Sequence, residues 1–143
     1  MNEIHHYALK LLQRRDYTEK QLREKLETRF GDVPEEVFSL LLTRRFLDDR
    51  RYAENFITKH ADSHPEHVRH LLEEAGIQRE TIDSVVSTAN WPSLRDVLKA
   101  KMVGWRLHAP LQKRDAARLF RTLSRLGYSE DEIREELEPL HEQ

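Results

Sequence analysis

The sequence has no cysteine, which excludes a disulfide framework, a cysteine zinc site and a thiol nucleophile. It has no apolar run of membrane-spanning length, and its opening residues, Met1-Asn2-Glu3-Ile4-His5-His6, lack the charged and apolar regions of a signal peptide. A cytoplasmic protein with no membrane partner is expected. Neither sign of charge prevails: 24 lysines and arginines stand against 26 aspartates and glutamates, a formal net charge of −2. That balance argues against a protein whose main business is coating nucleic acid, which needs a broadly basic domain, while leaving room for local basic patches. Glycine is also scarce, at four residues in 143, and three of the four mark the organisation of the chain.

What is present is charge, at 35% of residues, beside 38% hydrophobic residues, the composition of a highly charged helical protein. Apolar residues recur with a helical period throughout, which disfavours disorder. Ile4, Tyr7, Ala8, Leu11 and Leu12 share one face of a helix running to about Arg14. Thr18 opens a second helix through a capping box with Gln21, and Leu22, Leu26 and Phe30 form its stripe. Gly31 tolerates a left-handed helix end, and Pro34 fits the first turn of a third helix carrying Val37, Leu40 and Leu41. The join Phe46-Leu47-Asp48-Asp49 follows, with an aspartate cap, and leads into the stripe Tyr52, Ala53, Phe56 and Ile57.

Ser63-His64-Pro65-Glu66 is a further start signal, followed by Val68, Leu71, Leu72 and Ala75 and closed by Gly76. Ile82, Val85, Val86 and Ala89 define the next helix. Beyond Pro92 come the stripe Leu94, Val97, Leu98, Met102 and Trp105, then Ala116, Ala117, Phe120 and Leu123, closed by Gly127. Ser129 to Glu132 is a second capping box, opening a last helix with Ile133, Leu137 and Leu140.

Gly31, Gly76 and Gly127 each end a second helix, and each is followed six residues later by Val37, Ile82 or Ile133 and ten residues later by Leu41, Val86 or Leu137. The expected fold is all-α: three tandem three-helix repeats, at 1–46, 47–90 and 91–143, forming an elongated, curved helical array. The glycine spacings of 45 and 51 residues lie within or just beyond the periods of helical repeat proteins. Such units bury little surface alone, so they stack and present a long face to another large molecule, which favours binding over catalysis.

Three segments carry a family resemblance: Ala8-Leu9-Lys10-Leu11-Leu12-Gln13-Arg14-Arg15, Tyr17-Thr18-Glu19-Lys20-Gln21-Leu22-Arg23-Glu24-Lys25-Leu26, and the Phe46-Leu47-Asp48-Asp49-Arg50-Arg51-Tyr52-Ala53 join. Together they resemble the RecX family of bacterial recombinase regulators, over nearly the whole chain. The run from Lys113 to Ser129 also resembles that family's basic C-terminal repeat. The resemblance implies a non-enzymatic protein, without cofactor, that binds the RecA recombinase on single-stranded DNA. It further implies repression of filament growth, ATPase, strand exchange and the coprotease role. Departures are Arg45 where the family commonly has glycine, and Ser63-His64-Pro65 where it often opens the middle repeat with glycine.

The leading contact residues, for RecA or DNA phosphate, are Arg114, Arg118, Arg121 and Arg125, spaced four, three and four apart and so sharing one helix face. Lys113, Lys101 and Arg106 extend this basic run, which also holds Lys99. Arg44, Arg45, Arg50 and Arg51 form a second patch. The bland reading is a solvated face balanced by the acidic tail Glu130, Asp131, Glu132, Glu135, Glu136 and Glu138. Asp48 and Asp49 resemble a carboxylate pair, but adjacent acids at a helix start are better explained as an N-cap and a first-turn carboxylate. His60, His64, His67 and His70 resemble a metal cluster, yet the spacing is not that of a metal motif, so exposed polar histidines and no metal are expected. Trp105 falls in register with the core; Trp91 is more open. A monomer is expected, with direct contact to single-stranded DNA left open. Two rivals stay open: a sequence-specific helix-turn-helix DNA-binding regulator, and a helical-repeat scaffold for another protein.

Overall fold

A computed structural model of the chain describes residues 2–141. Residues 1, 142 and 143, at the outer edges of the expected first and third repeats, lie outside the described residues. These residues form α1 (Asn2–Arg14), α2 (Glu19–Phe30), α3 (Glu35–Thr43), α4 (Asp49–Lys59), α5 (Pro65–Glu74), α6 (Arg79–Thr88), α7 (Leu94–Gly104), α8 (Lys113–Arg125) and α9 (Glu130–Leu137). A 3₁₀ turn follows at Glu138–Leu140, and one isolated bridge pairs Leu111 with His141. The fold is all-α, and no described helix is long and apolar enough to cross a membrane. Packing gathers the chain into two compact units: Met1–Lys59 with Arg69–Ala89, and His60–Val68 with Asn90–Gln143.

In the first unit, Ala8, Leu11, Leu22, Leu26, Val37, Phe38, Leu41 and Leu47 form one buried cluster. Phe38, which the sequence stripe passes over, is buried beneath the Arg23 guanidinium at 4.0 Å, while Leu40 is only half-buried. Pro34 stands one residue earlier than expected, as the N-cap of α3 with φ −59° and ψ 138°, and Glu35 and Glu36 fill the first turn.

The capping box of α2 forms as read. Thr18 Oγ1 accepts from the Gln21 N–H, and the Thr18 N–H donates to Gln21 Oε1, both at 3.1 Å. The fully buried Thr18 hydroxyl also donates to the Ala75 carbonyl at 2.5 Å, so one side chain serves the start of α2 and the end of α5. Asp48 caps α4, accepting from the Arg51 N–H at 3.0 Å. Asp49 is the first-turn acid of α4, as expected, but the amide its carboxylate accepts from, at 2.8 Å, is that of Glu19 at the start of α2. Burial there pushes its carboxyl above the usual range, against the lowering effect of that hydrogen bond.

In the second unit, Val97, Leu98, Leu111, Ala116, Leu119, Leu123, Tyr128, Ile133 and Leu137 make the core. On α8 the buried stripe is Ala116, Leu119 and Leu123; Ala117 is exposed and Phe120 half-buried, a correction of the expected stripe. The spacing i, i+3, i+7 follows one helix face more closely than the sequence reading did. Ser129 and Glu132 form the second capping box, with the Glu132 N–H donating to Ser129 Oγ at 3.2 Å.

Four helices end in the same way. The residue in left-handed conformation is Arg45 (φ 59°), Gly76 (φ 91°), Arg106 (φ 57°) or Gly127 (φ 99°). Its N–H bonds back to Leu42, Glu73, Val103 or Ser124, and the next N–H reaches back to Leu41, Leu72, Met102 or Leu123. This is the Schellman pattern, which satisfies carbonyls that a helix end leaves open. Glycine adopts the conformation without steric cost at Gly76 and Gly127. Arginine bears roughly 1 kcal/mol of strain for it at Arg45 and Arg106. Gly31, also at positive φ, closes α2 differently, through a single bond to the Glu27 carbonyl.

Candidate functional site

The candidate site is the solvent face of α8. Because Ala116, Leu119 and Leu123 fix which side of the helix enters the core, a 3.6-residue period places Arg114, Arg118, Arg121 and Arg125 on the opposite side. All four are exposed, as is Lys113 at the helix start. The sequence spacing therefore survives folding as a continuous cationic face.

Two acids of the tail are engaged away from this face. Glu130 pairs with Arg134 on its own helix, and Glu136 accepts from Arg95 at 3.1 Å. Among the described residues, neither Arg121 nor Arg125 has an ion pair, and Arg114 is only 4.0 Å from its neighbour Asp115. Arg125 touches Thr122 Oγ1 at 3.5 Å. Arg118 differs from the others, its guanidinium lying 3.7 Å from the ring centroid of Trp105. Trp105, expected in the core, packs against it half-buried and forms the cap at the end of α7. Lys113 and Arg121 flank a groove of about 670 Å³ between α8 and α9, with Ala117, Phe120 and Leu137 among its walls.

The remaining basic residues divide. Lys101 is held by Asp62 at 2.8 Å, a pairing across 39 positions that spacing could not reveal, and is half-buried. Arg106 is exposed at the end of α7, with no ion pair among the described residues. In the second patch, Arg50 is engaged by Glu54 at 3.0 Å and Ser84 at 3.1 Å. Arg51 donates to the carbonyls of Arg45 at 2.9 Å and Phe46 at 3.4 Å, fastening the turn after α3. That leaves Arg44 and Arg45 as the exposed cations of this patch without ion pairs among the described residues.

The carboxylate pair and the histidines take structural roles. Asp48 and Asp49 each accept a backbone N–H at a different helix start. Against the expectation of exposure, His60, His64 and His67 are half-buried. His64 caps α5, its Nδ1 accepting from the Glu66 N–H at 3.0 Å, and packs edge-on against Tyr128 with centroids 5.3 Å apart. His70 pairs with Glu74 at 2.9 Å.

An exposed array of guanidinium groups recognises carboxylates or phosphates and steers association in a salt-dependent way, each exposed contact contributing under about 1 kcal/mol. Sequence reasoning missed the exposed apolar residues Leu42, Phe46 and Val103, since a hydrophobic residue beside a helix end gives no signal of exposure.

Residues 5–37 match the family model described as RecX, first three-helix domain. Among curated proteins, the regulatory protein RecX of Pseudomonas fluorescens is 35% identical over 134 residues, covering 88% of this chain and 84% of that protein. Its counterpart from Pseudomonas syringae pv. tomato is 32% identical, covering 91% and 86%. A regulatory protein RecX of Thermus thermophilus is 36% identical over 95 residues, covering 65% and 67%. The crystal structure of RecX from Lactobacillus salivarius shares the fold, with a TM-score of 0.67 over 97% of this chain and 95% of that one at 17% identity. The identity to the P. fluorescens protein, sustained along most of both chains, establishes that this chain belongs to the RecX family of regulatory proteins.

Proposed function

We propose that this chain modulates the RecA recombinase, binding the RecA filament on single-stranded DNA and repressing its growth, ATPase, strand exchange and coprotease activities. It acts in the cytoplasm as a monomer, by binding and without catalysis of its own. Residues 1–46, 47–90 and 91–143 serve as three tandem three-helix repeats. Family membership supports the regulatory role. The observation that carries the binding reading is the α8 face, where, among the described residues, exposed Arg121 and Arg125 have no ion pair and Arg114 only a 4.0 Å one to its neighbour Asp115, while the nearby acids Glu130 and Glu136 are engaged elsewhere. Charge left open in this way is available to an anionic partner surface.

The helix-turn-helix rival has less support. The last helix carries Glu130, Asp131, Glu132 and Glu135, all exposed, and phosphates lining a major groove repel such a surface. The test is titration of the chain into RecA hydrolysing ATP on single-stranded DNA. Falling hydrolysis with rising ratio supports the reading; selection of one duplex sequence from random DNA, with RecA unaffected, supports the rival.

A further inference from the structure

At the four helix ends closed by the Schellman pattern, the side chain after the left-handed residue has different fates. Ile77 and Tyr128 are buried and Leu107 is half-buried, whereas Phe46 is 45% exposed. Such an ending ordinarily lays this side chain on the helix it closes, so Phe46 stands away from the usual place. The turn that carries it is nonetheless fixed, because Arg51 donates to the carbonyls of Arg45 at 2.9 Å and Phe46 at 3.4 Å. Arg45 itself holds φ 59°, a conformation that glycine adopts without strain. Beside this turn lies a pocket of about 430 Å³ within the first unit, walled by Leu9, Leu12, Tyr17 and Tyr52 together with Phe46 and Arg45.

Three aromatic rings therefore border one pocket, and two of them are held by neighbours. Tyr52 stacks on Phe56 with centroids 6.1 Å apart, and the Arg15 guanidinium lies 4.5 Å from the Tyr17 ring centroid. Both tyrosines are half-buried, and neither hydroxyl makes a hydrogen bond among the described residues. The polar groups of the wall divide into engaged and open. Arg51 fastens the turn and Asp48 caps α4. Arg45, Asp16 and Gln13 are exposed, and their side chains make no ion pair or hydrogen bond among the described residues.

We propose that this pocket takes one unstacked base of a single strand of DNA, with Phe46 as the face it stacks on and Arg45 as the contact to its phosphate. Every base offers a π-face, and aromatic rings beside a cation are the means by which proteins hold single strands. The open polar groups fit the same occupant: the Asp16 carboxylate and the Gln13 amide suit the N–H donors and carbonyl acceptors along a base edge. An aliphatic side chain of a protein partner would use neither those groups nor the ring faces. A duplex does not serve, because its bases lie stacked between neighbours and out of reach of a pocket. The inference goes beyond the RecA reading by giving the first unit a ligand of its own; that the strand is DNA rests on that reading.

The test measures binding of the full chain, without RecA, to a labelled oligo(dT) of about 16 nucleotides. An abasic strand of the same length, which keeps the phosphates and removes the bases, is measured beside it, as is binding to preformed RecA filaments. Phe46→Leu keeps apolar volume without a π-face and is expected to weaken oligo(dT) binding about fivefold or more, while Phe46→Trp stays within about twofold of native. Both leave Tm little changed, because the ring is exposed. The native chain is expected to bind the abasic strand as weakly as Phe46→Leu does. Arg45→Gly is expected to lower the slope of log affinity against log salt by about 0.7, with Tm equal to or above native. Oligo(dT) binding by Phe46→Leu within about twofold of native overturns the inference, as does an abasic strand bound as tightly as oligo(dT). Filament binding lost in Phe46→Leu with oligo(dT) binding intact overturns it in favour of a protein contact. Tighter binding to RNA of the same length overturns the choice of DNA. A native chain that binds no single strand overturns the inference and leaves the RecA reading to the ATPase titration.

Discussion

Thr18 is the side chain through which the first unit is most open to a single perturbation. Its hydroxyl accepts from the Gln21 N–H at 3.1 Å and donates to the Ala75 carbonyl at 2.5 Å, and the residue is fully buried. Thr18→Ala removes an N-cap, costing about 1 kcal/mol. It also leaves the Ala75 carbonyl without that donor, about 1 kcal/mol more, and deletes a buried methyl worth about 0.8 kcal/mol. The sum is about 3 kcal/mol, or roughly 10 °C in Tm for a chain of this size. Thr18→Ser keeps both hydrogen bonds and loses only the methyl, about 1 kcal/mol. Thr18→Val keeps the volume and loses both bonds, about 2 kcal/mol. Urea unfolding followed by circular dichroism at 222 nm therefore ranks the chain native, Ser, Val, Ala. A valine variant within 0.5 kcal/mol of native would refute the reasoning, because the hydroxyl would then add nothing beyond packing.

Other consequences are equally direct. Gly127→Ala forces a side chain into a left-handed position and drives its Cβ into His67 Cβ, so a loss of more than about 2 kcal/mol is expected. Gly104→Ala, at the last position of α7 with nothing within 4 Å, is expected to gain up to about 0.5 kcal/mol by the same unfolding assay. Arg118→Ala removes the cation over Trp105, costing about 0.5–1 kcal/mol and shifting tryptophan emission. Arg121→Ala, exposed on the same face with no ion pair among the described residues, is expected to change stability by less than about 0.5 kcal/mol. Burial foremost, with Asp62 and Glu132 nearby, raises the Tyr128 hydroxyl above its ordinary value of 10.0. Above that pH the folded chain keeps a proton that the unfolded chain releases, so this group's contribution to stability falls as pH rises from 10.0 through the folded value. Absorbance titration at 295 nm should show a late tyrosine that Tyr128→Phe removes.

What the sequence made legible was local. Both capping boxes follow a three-residue rule and were readable from Thr18, Gln21, Ser129 and Glu132 alone. The four stripe arginines of α8 were readable because period and charge coincide. Their exposure followed once Leu119, rather than Ala117, was seen to set the buried face. What escaped was either distant or unsignalled. Thr18 meets Ala75 across 57 positions and Lys101 meets Asp62 across 39, and no pattern along the chain announces such pairs. Asp49 was legible as the first-turn acid of α4, but its hydrogen-bond partner, the Glu19 amide, lies 30 residues away. Arg106 closes α7 where glycine is the expected mark, so that end gave no signal, and Arg45 stood out only against the glycine common in the family.

The central claim is that the open cationic face of α8 engages RecA on single-stranded DNA, and RecA's DNA-dependent ATPase tests it most directly. The native chain and the quadruple variant Arg114→Ala, Arg118→Ala, Arg121→Ala, Arg125→Ala would be titrated over a range of ratios at two salt concentrations. Inhibition by the native chain is expected to weaken with salt, and the variant to need at least about tenfold more protein, since losing four charge contacts of about 0.5 kcal/mol each removes roughly 2 kcal/mol. An ATPase indifferent to the native chain at every ratio would contradict the claim, and inhibition unchanged in the variant would remove α8 from it.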